Sequence, residues 1–337
     1  MKSLSFGAVL WDLIEEEEHL GGAPFNLAVH LRRLGFDSYL VSAIGADDRG
    51  DRIRGEIDRH GVDGRWVRTD PEHPTAIVTV TADEQGESSY VIHEGMSLDF
   101  IELTEAEAGA VAALDFDVVC YGTLEARAAT TRRSLRLLLE AAAGAARTRS
   151  FCDLNLRQHY YSAELVREAL SYCDILKLND EEVRVTADLL FPGHGHADDR
   201  EIAAVLCETF GLEVVVITRG ADGCSVVTGQ TAIEQPGLEV AVVDTVGPGD
   251  AFSAAFLRDS LGGAGLEEAA VHANLLGGYV ASRRGALPPP AALGACENKG
   301  VILPVVLSAL EVLELLARLS MLRVELQHLA VVVGRRL

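Results

Sequence analysis

Short apolar and β-branched runs alternate along the chain with stretches in which apolar side chains recur every three or four positions. That alternation predicts an α/β fold, a doubly wound and mostly parallel sheet flanked by helices. Predicted strands are 6–11, 38–44, 118–121, 150–153, 175–178 and 214–218, and predicted helices include 24–34, 48–60, 131–145, 163–172 and 202–210. The helix at 24–34 shows the logic: Pro24 suits a first turn, Leu27, Leu31 and Leu34 share one face, and Gly35 ends it.

Two regions break the rhythm. Residues 62–93 lack a helical period and hold two alternating segments, TAIVTVTAD and SSYVIHEG, joined across 84–87 by a glycine-containing turn. With a strand at about 12–20 they are expected to form a small β lid over the carboxyl ends of the main strands. After Pro288, Pro289 and Pro290 the texture becomes apolar nearly all round, though Pro304, Glu311 and Glu314 interrupt it and argue against a membrane span. The expected organisation is one domain over 1–290 and an atypical helical tail over 291–337.

Composition narrows the function. The chain has 337 residues, 48% of them apolar, with 51 acidic against 29 basic side chains and a formal net charge of -22. Lys2, Lys177 and Lys299 are its only lysines. Nucleic-acid binding needs clustered Lys and Arg and is excluded, so a polyanionic substrate must be met by Mg²⁺, an arginine or a helix N-terminus. The cysteines at 120, 152, 173, 207, 224 and 296 show neither a C-x-x-C pair nor a zinc spacing. Four glutamates interrupt the opening segment before a secretory core is complete, so a cytoplasmic protein is expected.

The segment AVVDTVGPGDAFSAAFLRDSLGG at 241–263 carries the clearest chemistry: a β-run enters a Gly-x-Gly-Asp turn and leaves as a helix. The glycines let backbone approach an anion, and the helix start aims free N–H groups at it. Asp250 on its own reads as a helix cap. The glycines ahead of it and Asp244 go beyond a cap and suit phosphoryl transfer, with a carboxylate accepting a hydroxyl proton beside an anion hole.

DTVGPGDAF resembles the C-terminal signature of the ribokinase-like (pfkB) carbohydrate kinases, D-T-x-G-A-G-D, and GGAPFNLAVHLRRLG at 21–35 resembles their N-terminal signature. The two lie in the family's order, roughly 220 residues apart. FCDLNLR, LKLNDEE, TRGADGC and AVHANLLGGYVASRRGALPP agree between and after them, and fructokinase-like members are the best match. The resemblance spans about 6–290.

It implies an ATP- and Mg²⁺-dependent phosphotransferase with Asp250 as base and an anion hole at Gly247, Gly249 and Asp250. Asp12, Gly22 and Asn26 match sugar-binding positions, and Asn155 and Arg157 a segment near the sugar or phosphates. Asn179 and Glu182 match the N-x-x-E element that orders Mg²⁺ through water. Thr218, Arg219, Gly220, Gly223 and Asn274 match nucleotide contacts, and Asp244 with the Val246 carbonyl a monovalent cation site for K⁺. A homodimer through the lid or the tail is a further expectation. Pro248 departs from the signature's alanine and has no N–H to donate. Losing one such donor lowers a rate by about 10²-fold, so an active but slower enzyme is expected.

Other signals are weaker. His194 and His196, with Asp198 or Asp199, read as a polar loop rather than a metal site, and His30 reads as structural. Neither a P-loop nor a G-x-G-x-x-G turn after a strand is present. Fructose or a related monosaccharide is the expected substrate. Another sugar, a sugar acid, a nucleoside and a non-catalytic sugar sensor stay open as alternatives.

Overall fold

The computed structural model describes residues 1–289 except 15–16, 83–87, 145–146 and 194–197. The tail at 291–337, the turn at 84–87, and His194 and His196 therefore lie outside the described residues. From the N-terminus come β1 (Lys2–Phe6), β2 (Leu10–Ile14), β3 (Glu17–Gly21), α1 (Ala23–Arg33), β4 (Asp37–Gly45), α2 (Asp48–His60) and β5 (Asp63–Asp70). Next are β6 (Ile77–Ala82), β7 (Ser88–Ile92), α3 (Glu105–Ala112), β8 (Val118–Tyr121), α4 (Ala129–Ala143) and β9 (Arg149–Asp153). Then follow α5 (Ala163–Leu170), β10 (Ile175–Asn179), α6 (Asp180–Leu190), α7 (Asp199–Phe210) and β11 (Val214–Thr218). The last are β12 (Cys224–Val227), β13 (Ala232–Gln235), α8 (Pro248–Leu261) and α9 (Leu266–Ala281).

The large sheet has nine strands in the order β13-β12-β11-β10-β9-β8-β1-β4-β5, parallel from β11 to β5 with β12 and β13 antiparallel at one edge. Strand order reverses between β1 and β8, and in an open α/β sheet the crevice beyond that reversal is where ligands bind. One face buries Leu4, Phe6, Val41 and Val119 under α3 to α7. The other buries Val118, Cys120, Phe151 and Val216 under α1, α8 and α9. The helices pack on the sheet because their apolar stripes have nowhere else to go.

Four expectations are corrected. The strand at 6–11 is two strands in different sheets: Gly7, at φ 137°, turns the chain out of the large sheet, and a Cβ there would stand 2.7 Å from both Glu125 Oε1 and Pro24 Cγ. The segment 12–20 is likewise a hairpin of β2 and β3, and 63–70 joins the large sheet beside β4 instead of the small one. The run AVVD makes no strand, because the Val243 and Asp244 amides both donate to the Ala281 carbonyl at the end of α9. Valines that would have filled a ladder are left in solvent, Val242 at 60% exposure.

The small sheet, β3-β2-β6-β7, stands over the switch point. Glu18 on β3 bonds Arg49 and Arg52 of α2. At the other edge Arg127 donates to the His93 carbonyl at 2.6 Å, while Tyr160 and Gln158 donate to the Ile92 and Tyr90 carbonyls. Arg127 is itself held by Asp99 at 2.7 Å, both side chains buried. Replacing Arg127 by leucine leaves the Asp99 charge alone in a dry site, so stability should fall by about 3–5 kcal/mol. Urea denaturation checks this: the midpoint should drop at an unchanged m value.

Candidate active site

The site begins with backbone. Gly247 takes φ 91°, and a Cβ on it would lie 2.5 Å from the Cα and Cβ of Ala286, so only glycine fits. The turn opens α8 with Pro248 in its first turn, a position where a proline's missing N–H breaks no helical hydrogen bond. Ala286 is fixed in turn by His30, buried on α1, whose Nε2 lies 3.0 Å from the Ala286 carbonyl. Burial pushes the His30 imidazole down to about 4, so it is neutral and donates that bond. The structural role expected for His30 is therefore to set the wall against which Gly247 turns.

Gly22, at φ 106°, starts α1 in the same way; a Cβ there would approach the Ala8 carbonyl to 2.5 Å. Helices α1 and α8 pack together, and their first turns meet. Asn26 Nδ2 donates to Asp250 Oδ2 at 2.9 Å, across 224 residues of chain. Desolvation, more than any other influence, lifts the Asp250 carboxyl to about 7. The Asn26 bond, Lys177 and Arg157 oppose that shift, and the charge of Asp153 adds to it.

Asp12 reaches over from the lid, opposite His19 in the hairpin, and Gly21 leaves room for its carboxylate. Burial raises it to about 6, His19 acts against the rise, and Asp244 adds to it. Asp244 is taken up locally, with its two oxygens accepting the amides of Val246 at 2.9 Å and Gly285 at 2.8 Å. Asn155 sits at φ 46° just past the end of β9, and Arg157 beside it is exposed. Their loop is tied down by Glu182, whose Oε1 accepts the Leu156 amide while Oε2 accepts the Asn179 amide, each at 2.8 Å. Asn179 and Glu182 thus form a capping box at the start of α6, and burial raises the Glu182 carboxyl.

Thr218 ends β11, next to β10 along the same carboxyl edge, and Arg219, Gly220 and Gly223 follow it. Gly223 packs against the backbone of 235–237, and Asn274 Nδ2 holds the Pro236 carbonyl at 3.1 Å. Arg219 is tied to its neighbours. Its guanidinium bonds Glu234 at 3.2 Å and Ser225, and pairs with Asp199 at 3.8 Å.

Three residues at this edge escaped the sequence reading. Glu125 follows β8 at the switch point, buried, with Oε1 accepting the Ala8 amide at 3.0 Å. Asp153 ends β9 and bonds Lys177 on β10 at 2.9 and 3.0 Å. A lysine inside the apolar run ILKLN of a lysine-poor chain was the available signal.

The model of the pfkB family carbohydrate kinases matches residues 6–292, which takes in both glycine turns. The chain belongs to that family. Fructokinase of Escherichia coli is 30% identical over 70% of this chain and 75% of its own. The ATP-dependent ribose-1-phosphate kinase of Halopiger xanaduensis is 28% identical over 87% of this chain and 96% of its own. Among solved structures, fructokinase of Vibrio cholerae superposes at a TM-score of 0.71 over 85% of this chain and 94% of its own, at 23% identity, a likeness of fold. The protein is a sugar kinase, a phosphotransferase with an alcohol group as acceptor, on the ribokinase-like fold.

A carboxyl group lifted to about 7 takes up a proton on folding. The stability it contributes is fully present below the unfolded value near 3.8 and is lost as pH rises through 7. Asp250→Asn should therefore melt higher than wild type at pH 8, with the difference closing towards pH 4, as calorimetric scans would show. For the kinase, kcat/KM should fall as pH drops through about 7, and Asn26→Leu should move that midpoint upward because the carboxylate loses its donor.

Proposed function

We propose that this kinase moves the γ-phosphoryl group of ATP onto a hydroxyl of a small uncharged sugar, fructose or a related monosaccharide, with Asp250 accepting the hydroxyl proton. The hydrogen bond from Asn26 to Asp250 carries the reading, because it joins the two glycine turns at one point. A carboxyl near 7 is matched to taking a proton at neutral pH, and the first-turn amides of Gly249 and Asp250 beside it suit a transferring anion.

Asp12, Gly22 and Asn26 suit vicinal hydroxyls, a short carboxylate and an amide beside a glycine that admits the ring to the backbone. Asn155 and Arg157 border the same space. Fructose is preferred to the ribose 1-phosphate named for the Halopiger relative because the chain also matches fructokinase at 30% identity. The Thr218–Gly223 loop and Asn274 are assigned to the nucleotide.

Mg²⁺, carried on the phosphates, would neutralise charge developing there. Each Glu182 oxygen accepts one amide and keeps a second lone pair, which fits a water-mediated contact rather than direct ligation. No cluster of three or more His, Cys, Asp or Glu among the described residues would hold a metal unaided. A K⁺ ion near Asp244 would rest chiefly on carbonyls such as that of Val246, since the Asp244 oxygens already bind amides. Self-association through the lid, supported by exposed Ile14, Tyr90 and Val91, belongs to the same reading. So does a cytoplasmic location, supported by five buried free cysteines among the described residues. None of the described helices is long and apolar enough to cross a membrane.

The decisive assay is ADP release from Mg-ATP with fructose, ribose, ribose 1-phosphate, 2-keto-3-deoxygluconate and nucleosides, by wild type and Asp250→Asn. Fructose should give the highest kcat/KM, and the variant should lose about 10³-fold or more. A preference for a phosphorylated sugar or a nucleoside, or turnover surviving in the variant, would overturn the reading.

A further inference from the structure

Helix α1 ends on two arginines that behave differently. Arg32 is exposed, bonds the Phe36 carbonyl at 3.2 Å and pairs with Asp37 at 3.4 Å, the ordinary work of a cation at a helix C-terminus. Arg33 is half-buried, and no carboxylate among the described residues pairs with it. Burial, and after it the charge of Arg59, bears against its own charge. Both terminal nitrogens donate to backbone instead, Nη1 to the Pro288 carbonyl at 2.9 Å and Nη2 to the Leu287 carbonyl at 3.3 Å. The helix dipole explains a cation at that end of α1. It does not explain why the cation is spent on carbonyls 254 and 255 residues further along the chain.

Those carbonyls belong to a strap, 285–289, in which every residue is held. The Gly285 amide donates to Asp244 at 2.8 Å, the Ala286 carbonyl takes His30, the next two take Arg33, and the Pro289 carbonyl takes the Tyr279 hydroxyl at 2.9 Å. Leu287 also packs its side chain against the cluster that contains Phe25 and Val29 of α1. Ala286, in the middle of the strap, is the wall against which Gly247 turns. Asn26, His30 and Arg33 stand at i, i+4 and i+7, so they share one face of α1. That single face holds the Asp250 carboxyl group, the wall of its turn and the strap behind the wall.

We propose that Arg33 is a positioning residue for phosphoryl transfer: by drawing the Leu287 and Pro288 carbonyls onto α1 it presses Ala286 against Gly247 and so fixes where the Gly249 and Asp250 amides point. The proposal rests on the reading of those amides as an anion hole, given above. Arg33 acts through the strap and not by touching a substrate. Its planar fork suits two carbonyls of successive residues, which the compact point charge of a lysine holds less well. Pro248 has no N–H, so the two amides that follow it must be well aimed. Misplacing such donors by about 1 Å lowers a rate by about 10²-fold.

The test compares wild type, Arg33→Lys and Arg33→Met, each as the full chain, in the Mg-ATP assay with an accepted sugar, with circular dichroism and Tm recorded alongside. In Arg33→Met kcat should fall about 10²-fold, and in Arg33→Lys about tenfold, while sugar affinity by calorimetry stays within about threefold. The pH midpoint of kcat/KM should stay at its wild-type value, because the bond from Asn26 to Asp250 is left in place. Should Arg33→Met fail to fold, Arg33→Lys, which keeps the stem and the charge, decides alone. An unchanged kcat in folded Arg33→Lys, or a loss of sugar affinity as large as the loss of kcat, would leave Arg33 as a structural support and overturn the proposal. Turnover surviving in Asp250→Asn would instead sink the reading of the turn itself, before any Arg33 variant is compared.

Discussion

The hydrogen bond from Asn26 to Asp250 exists because two helix starts have been pressed together, and most of the site follows from that closeness. Each start requires a glycine at positive φ, with neighbouring backbone where a side chain would go. Gly22 turns against Ala8, and Gly247 turns against Ala286. Ala286 is held by His30 from the very helix that Gly22 opens, so each turn braces the other. A methyl group at either glycine would push the helices apart and separate the amide from the carboxyl group.

The electrostatics follow from packing. An acid-rich chain gathers Glu125, Asp153, Glu182 and Asp250 at the carboxyl edge of its large sheet, around Lys177 and the positive end of α8. Burial lifts several of these carboxyl groups, which weakens the fold at neutral pH and leaves one of them poised to take a proton. The lid adds Asp12 from above and is pinned at both edges, by Glu18 to α2 and by Arg127, Tyr160 and Gln158 to the loops after β8 and β9.

Much of this was legible before any coordinates. Apolar period alone placed β8 and β11 and the bounds of α2, because a strand buried on both faces or a capped amphipathic helix is defined by its own residues. The glycine turns and Asp250 were legible because a tight backbone approach leaves a local trace in residue type. The errors share one cause. Residues 6–11 read as one strand because a hydrophobic run does not say which sheet receives it, and Gly7 redirects the chain only because Glu125 and Pro24 stand beside it. Likewise 63–70 pairs with β4, and AVVD bonds the Ala281 carbonyl at the end of α9 instead of a strand, outcomes set by partners elsewhere along the chain.

The sequence by itself determined the α/β alternation, the two glycine turns, the family and the acid-rich character, since each is written in residue type and short-range order. Only the tertiary structure decided that Arg219 is committed to Glu234 and Ser225, that Glu125 stands at the switch point, and that Lys177 lies beneath Gly249. It also decided that Asn26 meets Asp250. Those are contacts between residues tens to hundreds of positions apart, and burial and charge at such points are properties of the packed neighbourhood, which no local segment carries.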